Sequence, residues 1–484
     1  MDYPCLDAAC SAPVEGEPAL ILCFAHGRAL SQLRAIPREG LLIGRTEVVF
    51  DDAFRDAEMS LRHAKVHPAG KGRFALTNLS EQPGTRVNGS LVHGEHLLEP
   101  GDVIRAGETL MIYTRSTQLR PGPVEPLGNS DVMRAVQRSI QSVASRRHTV
   151  VITGQTGTGK EVVARMIHDR SGRSGPFVAV NCSTFTEALL PSELFGHVRG
   201  AFTGAVAEHP GLFRAARGGT LLLDELADIP MSVQSSLLRV LEAQEVRPVG
   251  GTRDVGIDVR VIATVNTEIR DLVASGKFRA DLYARLAQWT VRLPRLAERR
   301  EDIPFLVGTL LARADGAGRR ISADLGEALL VHDWPLNVRG LLNILSIAVV
   351  STEGTDCPLA LTSEVLTALW ATRKLDVDLS DSPAEAARAT LDADELHELM
   401  VQFKGHVAAA GRHVGMTRSK LYRLLEAHGM EPSAFRESLS RPQGGQASAW
   451  EDGMARSKPP LSGGSAPVWQ HRPAAPKVRP LHSS

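Results

Sequence analysis

TVVITGQTGTGKE, residues 149–161, sets a β-branched strand directly before a turn with three glycines, Gly154, Gly157 and Gly159, and opens a helical pattern at Lys160. Glycines let consecutive backbone N–H groups curl around phosphate oxygens, the helix N-terminus adds a favourable dipole, and Lys160 neutralises charge at the β/γ end of a triphosphate. Thr158 and Glu161 complete the loop, with Glu161 standing where most such loops carry Ser or Thr to hold Mg²⁺. A glycine-rich turn that caps a helix can also be purely structural, so a second motif has to decide. GGTLLLDEL, residues 218–226, supplies it: a buried apolar strand ends in Asp224 and Glu225. These adjacent carboxylates suit Mg²⁺, and one can orient or deprotonate an attacking water. The two motifs together imply ATP hydrolysis with ATP and Mg²⁺ as cofactors.

Working outward, strand-like runs (TVVIT, FVAVNC, GTLLLDEL, VRVIATVN) alternate with helical patterns from residue 126 to 372, which predicts a parallel sheet with helices on both faces. Residues 19–115 instead show short apolar runs broken by Gly, Pro, Asn and Asp, the pattern of an all-β sandwich. Pro- and Gly-rich residues 116–125 read as a linker, 373–390 as a second linker, and 391–432 as a small all-α domain. In the last 44 residues Gly, Pro and Ser number 18, so 433–484 reads as a disordered tail. The chain of 484 residues is thus multidomain, and its 55 basic and 55 acidic side chains exclude a global electrostatic grip on nucleic acid or membrane. Five scattered cysteines without a CxxC pair fit a reducing cytoplasm and no zinc cluster. Neither a membrane-spanning run nor a secretory leader is expected.

The central segment resembles the AAA+ domain, with its helical lid, of bacterial enhancer-binding proteins that activate sigma-54 RNA polymerase. SELFGHVRGAFTGA, residues 192–205, carries the resemblance most specifically. It implies that Gly200, Ala201, Phe202, Thr203, Gly204 and Ala205 contact sigma-54, and Phe202 and Thr203 among Gly and Ala do suit a loop that presents one aromatic to a partner. It further implies that Asn181 restrains Glu225, that Asn266 is a sensor, that Arg279 and Arg285 reach a neighbouring subunit's γ-phosphate in a hexameric ring, and that Arg339 is a second sensor. Read from the residues alone, Arg279 and Arg285 could instead be surface groups paired with Glu301 or Asp302. Three positions depart from the family pattern: Val265 replaces a hydroxyl beside Asn266, and Leu336 and Gly340 alter the usual WPGNVREL. Cys182 and His197 are expected to pack or bond locally rather than to ligate.

HVAAAGRHVGMTRSKLYRLLEAHGM, residues 406–430, has helix-turn-helix layout. Arg418, Ser419, Lys420, Tyr422 and Arg423 are its candidate DNA contacts, within a local stretch that holds basic residues and no acid. The segment resembles the Fis-type module of sigma-54 activators, which implies upstream DNA sites bound as dimers. The N-terminal sandwich resembles a forkhead-associated domain, through IGR, SLRH and GTRVNG. That implies a phosphothreonine protein or peptide as partner, with Arg45, Ser60, Arg62, Thr85 and Asn88 at its site and Gln82 and Pro83 as departures. The expected function is sigma-54-dependent transcriptional activation driven by ATP and regulated by phosphothreonine binding. A remodelling ATPase with another target and an ATP-switched DNA-binding repressor are the alternatives.

Overall fold

The computed structural model describes residues 16–45, 56–70, 72–82, 84–116, 127–266, 269–352, 354, 356–379, 393–403 and scattered positions between 407 and 430. The chain divides into two compact units, Met1–Ala389 and Thr390–Ser484. The first opens with ten strands: β1 (Glu17–Ala25), β2 (Arg28–Ala35), β3 (Leu41–Ile43), β4 (Ala64–Pro68), β5 (Phe74–Asn78), β6 (Arg86–Val87), β7 (Ser90–Leu91), β8 (Glu95–Leu97), β9 (Val103–Ala106) and β10 (Thr109–Ser116). They make two sheets, β2-β1-β10-β9-β6-β7 and β3-β4-β5-β8, whose inner faces share a core that includes Leu20, Leu22, Leu76, Ile104 and Met111. This is the expected sandwich.

The α/β body contains α1 (Asp131–Ala144), β11 (Val150–Thr153), α2 (Lys160–Asp169), β12 (Phe177–Asn181), α3 (Leu190–Phe195), α4 (Leu212–Ala215), β13 (Thr220–Asp224), α5 (Met231–Ala243), β14 (Glu245–Val246), β15 (Val255–Gly256), β16 (Arg260–Val265), α6 (Ile269–Ala274), α7 (Ala280–Leu286) and β17 (Trp289–Arg292). Its main sheet has the order β12-β13-β16-β11-β17, with every neighbouring pair parallel. One face packs on a core with Leu221, Leu223 and Val265, and the other on a core with Val150, Ile152, Leu222 and Ile262, so the central strands are apolar on both sides. The lid follows as α8 (Ile303–Arg313), α9 (Ala323–Val331), α10 (Asn337–Ser351) and α11 (Ser363–Leu379). The last helix occupies the first residues of the stretch read as a linker at 373–390.

In the second unit, α12 (Ala393–Gln402) contributes Leu396, Leu399 and Met400 to a small core with Val407, Ala410, Leu421 and Leu425. Arg418, Ser419, Lys420, Tyr422 and Arg423 lie outside the described residues, as do 433–484 and nearly all of the 116–125 linker.

The sandwich and the lid share one hydrophobic core, which no sequence pattern announced. Phe24, Val103, Leu110 and Ile112 pack in the same cluster as Leu306, Leu325, Leu329 and Leu345. Gly326, inside α9, is what allows the approach: a Cβ there would fall 2.8 Å from Leu110 Cδ1 and 3.4 Å from Phe24 Cδ2. Ile321 N donates to Gly27 O at 2.8 Å, joining the lid to the β1–β2 turn. Arg105 Nη1 donates to Asp324 Oδ1 at 2.6 Å and to Glu327 Oε2 at 2.8 Å, and Arg86 Nη1 stands 3.7 Å from the same Glu327 oxygen. Glu327 is buried, so the two guanidinium groups are what keep its charge tolerable there.

Two outcomes are expected at this junction. Gly326→Leu should overpack it and lower stability by about 1–3 kcal/mol, with the sandwich and the ATPase body unfolding in separate steps on denaturant titration; a single transition at the wild-type midpoint would show that the interface is not tight. Glu301, partly buried and charged against Asp302 and Asp131, has its carboxyl pushed up to about 7, burial being the main cause. A carboxyl that holds its proton more tightly when folded contributes fully below its unfolded value near 4.5 and loses that contribution as pH rises through 7. Glu301→Gln should therefore remove up to about 2 kcal/mol of the stability that the wild type loses between pH 5 and pH 8, read from paired urea titrations.

Candidate functional site

β11 leads straight into the glycine turn because Val150, Val151 and Ile152 are buried in the sheet and the chain must then reverse over its edge. Gly154 (φ 155°), Gly157 (φ 78°) and Gly159 (φ 102°) adopt backbone angles that side chains oppose, and a Cβ on Gly159 would meet nothing within 4 Å, so that glycine is needed for its dihedral and faces open space. Thr158 is buried, its hydroxyl donating to Gln155 O at 2.7 Å. Lys160 Nζ is turned onto the loop itself, donating to Gly154 O (2.8 Å), Gln155 O (3.1 Å) and the Asn266 side-chain oxygen. Burial lowers its pKa, partly offset by Asp224 and Glu225, while the exposed Arg339 adds a like charge that lowers it further. Two cations converging on a glycine cradle fit a polyanion. Glu161 projects to solvent, 3.6 Å from Arg165 on the next turn, so the loop's usual Mg²⁺ hydroxyl has no substitute at that position.

β13 ends at Asp224, and Glu225 takes the left-handed conformation (φ 55°, ψ 51°) that costs about 1–3 kcal/mol for a side-chain-bearing residue. Thr264, fully buried on β16, explains how both are fixed: its hydroxyl donates to Asp224 Oδ1 and accepts the Glu225 N–H at 3.2 Å. Val265 is buried in the core on the opposite face of the strand, so the hydroxyl missing beside Asn266 sits one residue earlier and serves the carboxylates instead. Asn181 does not bond Glu225 directly. Its Oδ1 accepts Ser183 N at 2.9 Å, and Ser183 Oγ lies 2.9 Å from Glu225 Oε2. Among the described residues no group of three or more His, Cys, Asp or Glu side chains gathers to hold a metal. Asp224 and Glu225 supply hard carboxylate oxygens, which suit a Mg²⁺ that keeps waters and phosphate oxygens as its other ligands.

The lid reaches the phosphate loop through a short segment after α9. Val338 N donates to Gly157 O at 3.0 Å, and a Cβ on Gly157 would fall 2.3 Å from Leu336 O. Asn337, fully buried at φ 50°, donates from Nδ2 to Thr156 O (3.0 Å) and accepts Leu296 N (2.8 Å). Arg299, itself buried, donates to Thr158 O (3.1 Å) and Leu127 O (3.2 Å). The two departures in the lid motif match each other: a Cβ on Gly340 would lie only 3.2 Å from Leu336 Cβ, so the larger residue at 336 occupies room vacated at 340.

Elsewhere the candidates fall as follows. Phe202 and Thr203 are exposed on a turn whose Gly200 (φ 80°) and Gly204 (φ 100°) have nothing against their α-carbons, and Gly200 N donates to Ala205 O at 2.8 Å. Ala201 sits beneath them against Gly250, and the Phe202 ring meets the His197 ring edge-on at 5.0 Å. His197 is itself bonded to Ser192 Oγ at 2.8 Å, and Cys182 is a core residue whose thiol burial pushes up to about 12. Arg279 forks onto Asp281 (2.7 Å and 3.0 Å) and Arg285 donates to Leu241 O at 3.1 Å, so neither pairs with Glu301 or Asp302.

In the sandwich, Arg45 and Arg62 are exposed, and Ser60 Oγ lies 2.7 Å from Ser80 Oγ, a neighbour the sequence reading missed. Thr85 and Asn88 are corrected from ligand contacts to braces: Thr85 is fully buried with its hydroxyl on Asn78 Oδ1 (2.9 Å), and Asn88 spends both ends of its amide on Asp102 Oδ1 (2.7 Å) and Val103 N (3.0 Å). His63 is buried too; it accepts Ser60 N at 3.2 Å, and burial lowers its pKa. Pro83 lies outside the described residues.

A glycine phosphate loop, a carboxylate pair ending the next-but-one strand of a parallel sheet, and a helical lid define a P-loop protein of the AAA+ class. Family comparison agrees domain by domain: residues 127–292 match the sigma-54 interaction domain, 297–368 the AAA+ ATPase lid domain and 41–107 the FHA domain. The transcriptional regulatory protein GlrR of Escherichia coli (strain K12) is 41% identical over 314 residues, covering 64% of this chain and 69% of GlrR. The response regulator protein PilR of Pseudomonas aeruginosa is 36% identical over 355 residues, covering 68% and 76%. NtrX from Brucella abortus, solved in complex with ATP, is 35% identical with a TM-score of 0.46, covering 64% of this chain and 70% of NtrX. The chain belongs to the family of sigma-54-dependent transcriptional regulators and carries an FHA domain at its N-terminal side.

The lid contact generates a test. Asn337→Ala should cost about 2 kcal/mol, because buried backbone groups of Thr156 and Leu296 lose their partner, and should weaken binding of a fluorescent ATP analogue in anisotropy titrations. Unchanged affinity would show that the lid does not shape the phosphate loop.

Proposed function

We propose that this protein binds ATP and Mg²⁺, hydrolyses the γ-phosphate, and uses the cycle to remodel sigma-54 RNA polymerase into the open complex. The observation that carries the reading is Lys160 at the head of the glycine loop with Asp224 and Glu225 on the same sheet end, in a chain whose Phe202 and Thr203 stand out on a glycine-hinged turn. In the catalytic step the loop N–H groups and Lys160 hold the phosphates, Glu225 orients the attacking water and accepts its proton, and Asp224 fixes the carboxylate side. Mg²⁺, when bound, neutralises charge on the β- and γ-oxygens. Arg279 and Arg285, solvent-accessible on or beside α7, act across a subunit boundary in a hexameric ring, which makes hydrolysis depend on assembly.

Regulation enters through the sandwich. Arg45, Ser60 and Arg62 take a phosphothreonine peptide, and the shared core with α9 passes the occupancy of that site to the segment at 334–339 and so to Gly157. The helix-turn-helix, with Arg418, Ser419, Lys420, Tyr422 and Arg423, holds dimers at upstream DNA, and the whole operates in the cytoplasm. Among the described residues no helix is long and apolar enough to cross a membrane.

Reconstituted open-complex formation with sigma-54 polymerase, promoter DNA and ATP tests the reading. Thr203→Ala should keep ATPase activity and lose open complexes, and Glu225→Ala should bind ATP while hydrolysis falls at least about a hundredfold. Normal promoter opening by both variants would overturn it.

A further inference from the structure

Glu225 is held by two hydroxyls with different consequences. Thr264 accepts its backbone N–H, which fixes the main chain, and the side chain is then free to swing except where Ser183 holds it. Ser183 lies in the 3-10 turn Cys182–Thr184 that follows β12, anchored by the buried Cys182 on one side and by Asn181, which caps the turn, on the other. Its hydroxyl stands 2.9 Å from Glu225 Oε2 and 2.7 Å from Asn181 Oδ1, two acceptors for one proton, and the charged acceptor binds that proton more strongly.

The sheet order says which way this hydrogen bond pulls. β13, which carries Glu225, lies between β12 and β16, and β11 with its phosphate loop lies beyond β16. A bond to the residue after β12 therefore draws the carboxylate to the side of β13 that faces away from the phosphate loop. Lys160 is likewise turned onto the loop's own carbonyls. A carboxylate that accepts a strong hydrogen bond is also a weaker base.

We infer that Ser183 is a positioning residue that parks Glu225 away from the phosphate site, with Asn181 acting on the glutamate only through Ser183. This rests on the assignment of Glu225 as the group that activates water. From Thr184 the chain runs on through α3 into the turn that bears Phe202, so a pull on that turn has a covalent route to the parking hydroxyl.

The test is steady-state ATP hydrolysis by the full chain, without polymerase, for wild type, Ser183→Ala, Ser183→Thr, Asn181→Ala and the Asn181→Ala/Ser183→Ala double variant. Removing the hydroxyl should raise kcat about three- to tenfold with KM for ATP unchanged. Threonine, which keeps the hydroxyl, should stay near the wild-type rate. Asn181→Ala should give a smaller rise, and the double variant should match Ser183→Ala alone. A kcat for Ser183→Ala at or below that of wild type overturns the parking role, and so does additivity in the double variant, since Asn181 would then act by its own route. If Glu225→Ala hydrolyses as fast as wild type, the assignment of Glu225 falls and this inference with it; normal loss in Glu225→Ala with no gain in Ser183→Ala removes only the inference.

Discussion

The close approach of the lid to the phosphate loop constrains much of this molecule. With Leu336 O where a Cβ of residue 157 would be, and Val338 N bonded to Gly157 O, the loop cannot change shape without moving α10, and α10 cannot tilt without dragging the loop. Asn337 and Arg299 reinforce the same joint with buried hydrogen bonds to loop carbonyls, each costly to break because the groups freed have no water to turn to. The nucleotide site is thereby built from two domains, which suits an enzyme that must convert the state of its phosphates into motion.

The same lid carries the N-terminal sandwich on its far end. Tethered recognition modules usually meet their neighbours through small polar contacts, whereas here the outer face of a sheet is merged into the lid core around Phe24, Leu110 and Leu325. Charge is added where it specifies orientation: Arg105 bridges Asp324 and Glu327, and Arg86 comes from the strand that follows Thr85. A sandwich docked this way acts as part of the lid, so strain in its loops is felt at α9. The carboxylates answer to separate elements again, Asp224 to β16 through Thr264 and Glu225 to the turn after β12 through Ser183, which lets one be fixed while the other moves.

What could be read from the chain and what could not divides along the range of the interactions. The glycine loop, Lys160, the Asp224–Glu225 pair and the Gly200 to Ala205 turn are legible because each works through consecutive residues: backbone N–H groups curl, a strand ends, a turn takes positive φ. The forkhead-associated residues were legible as types and not as roles. Thr85 and Asn88 stand in the expected motif, yet the first points into the core and the second spends its amide on β9. Thr264 escaped notice because its value depends on which face of β16 looks toward Asp224, a matter of sheet order.

By itself, the sequence determined the sandwich, the P-loop body with its lid, and the chemistry at the end of the sheet, since local periodicity and turn geometry dictate these before any long-range contact forms. Only the tertiary structure decided that Ser183 stands between Asn181 and Glu225, and that Arg105 meets Glu327 across 222 residues of chain. Such pairs are chosen by how buried faces fit together in three dimensions, and no spacing along one chain encodes that fit.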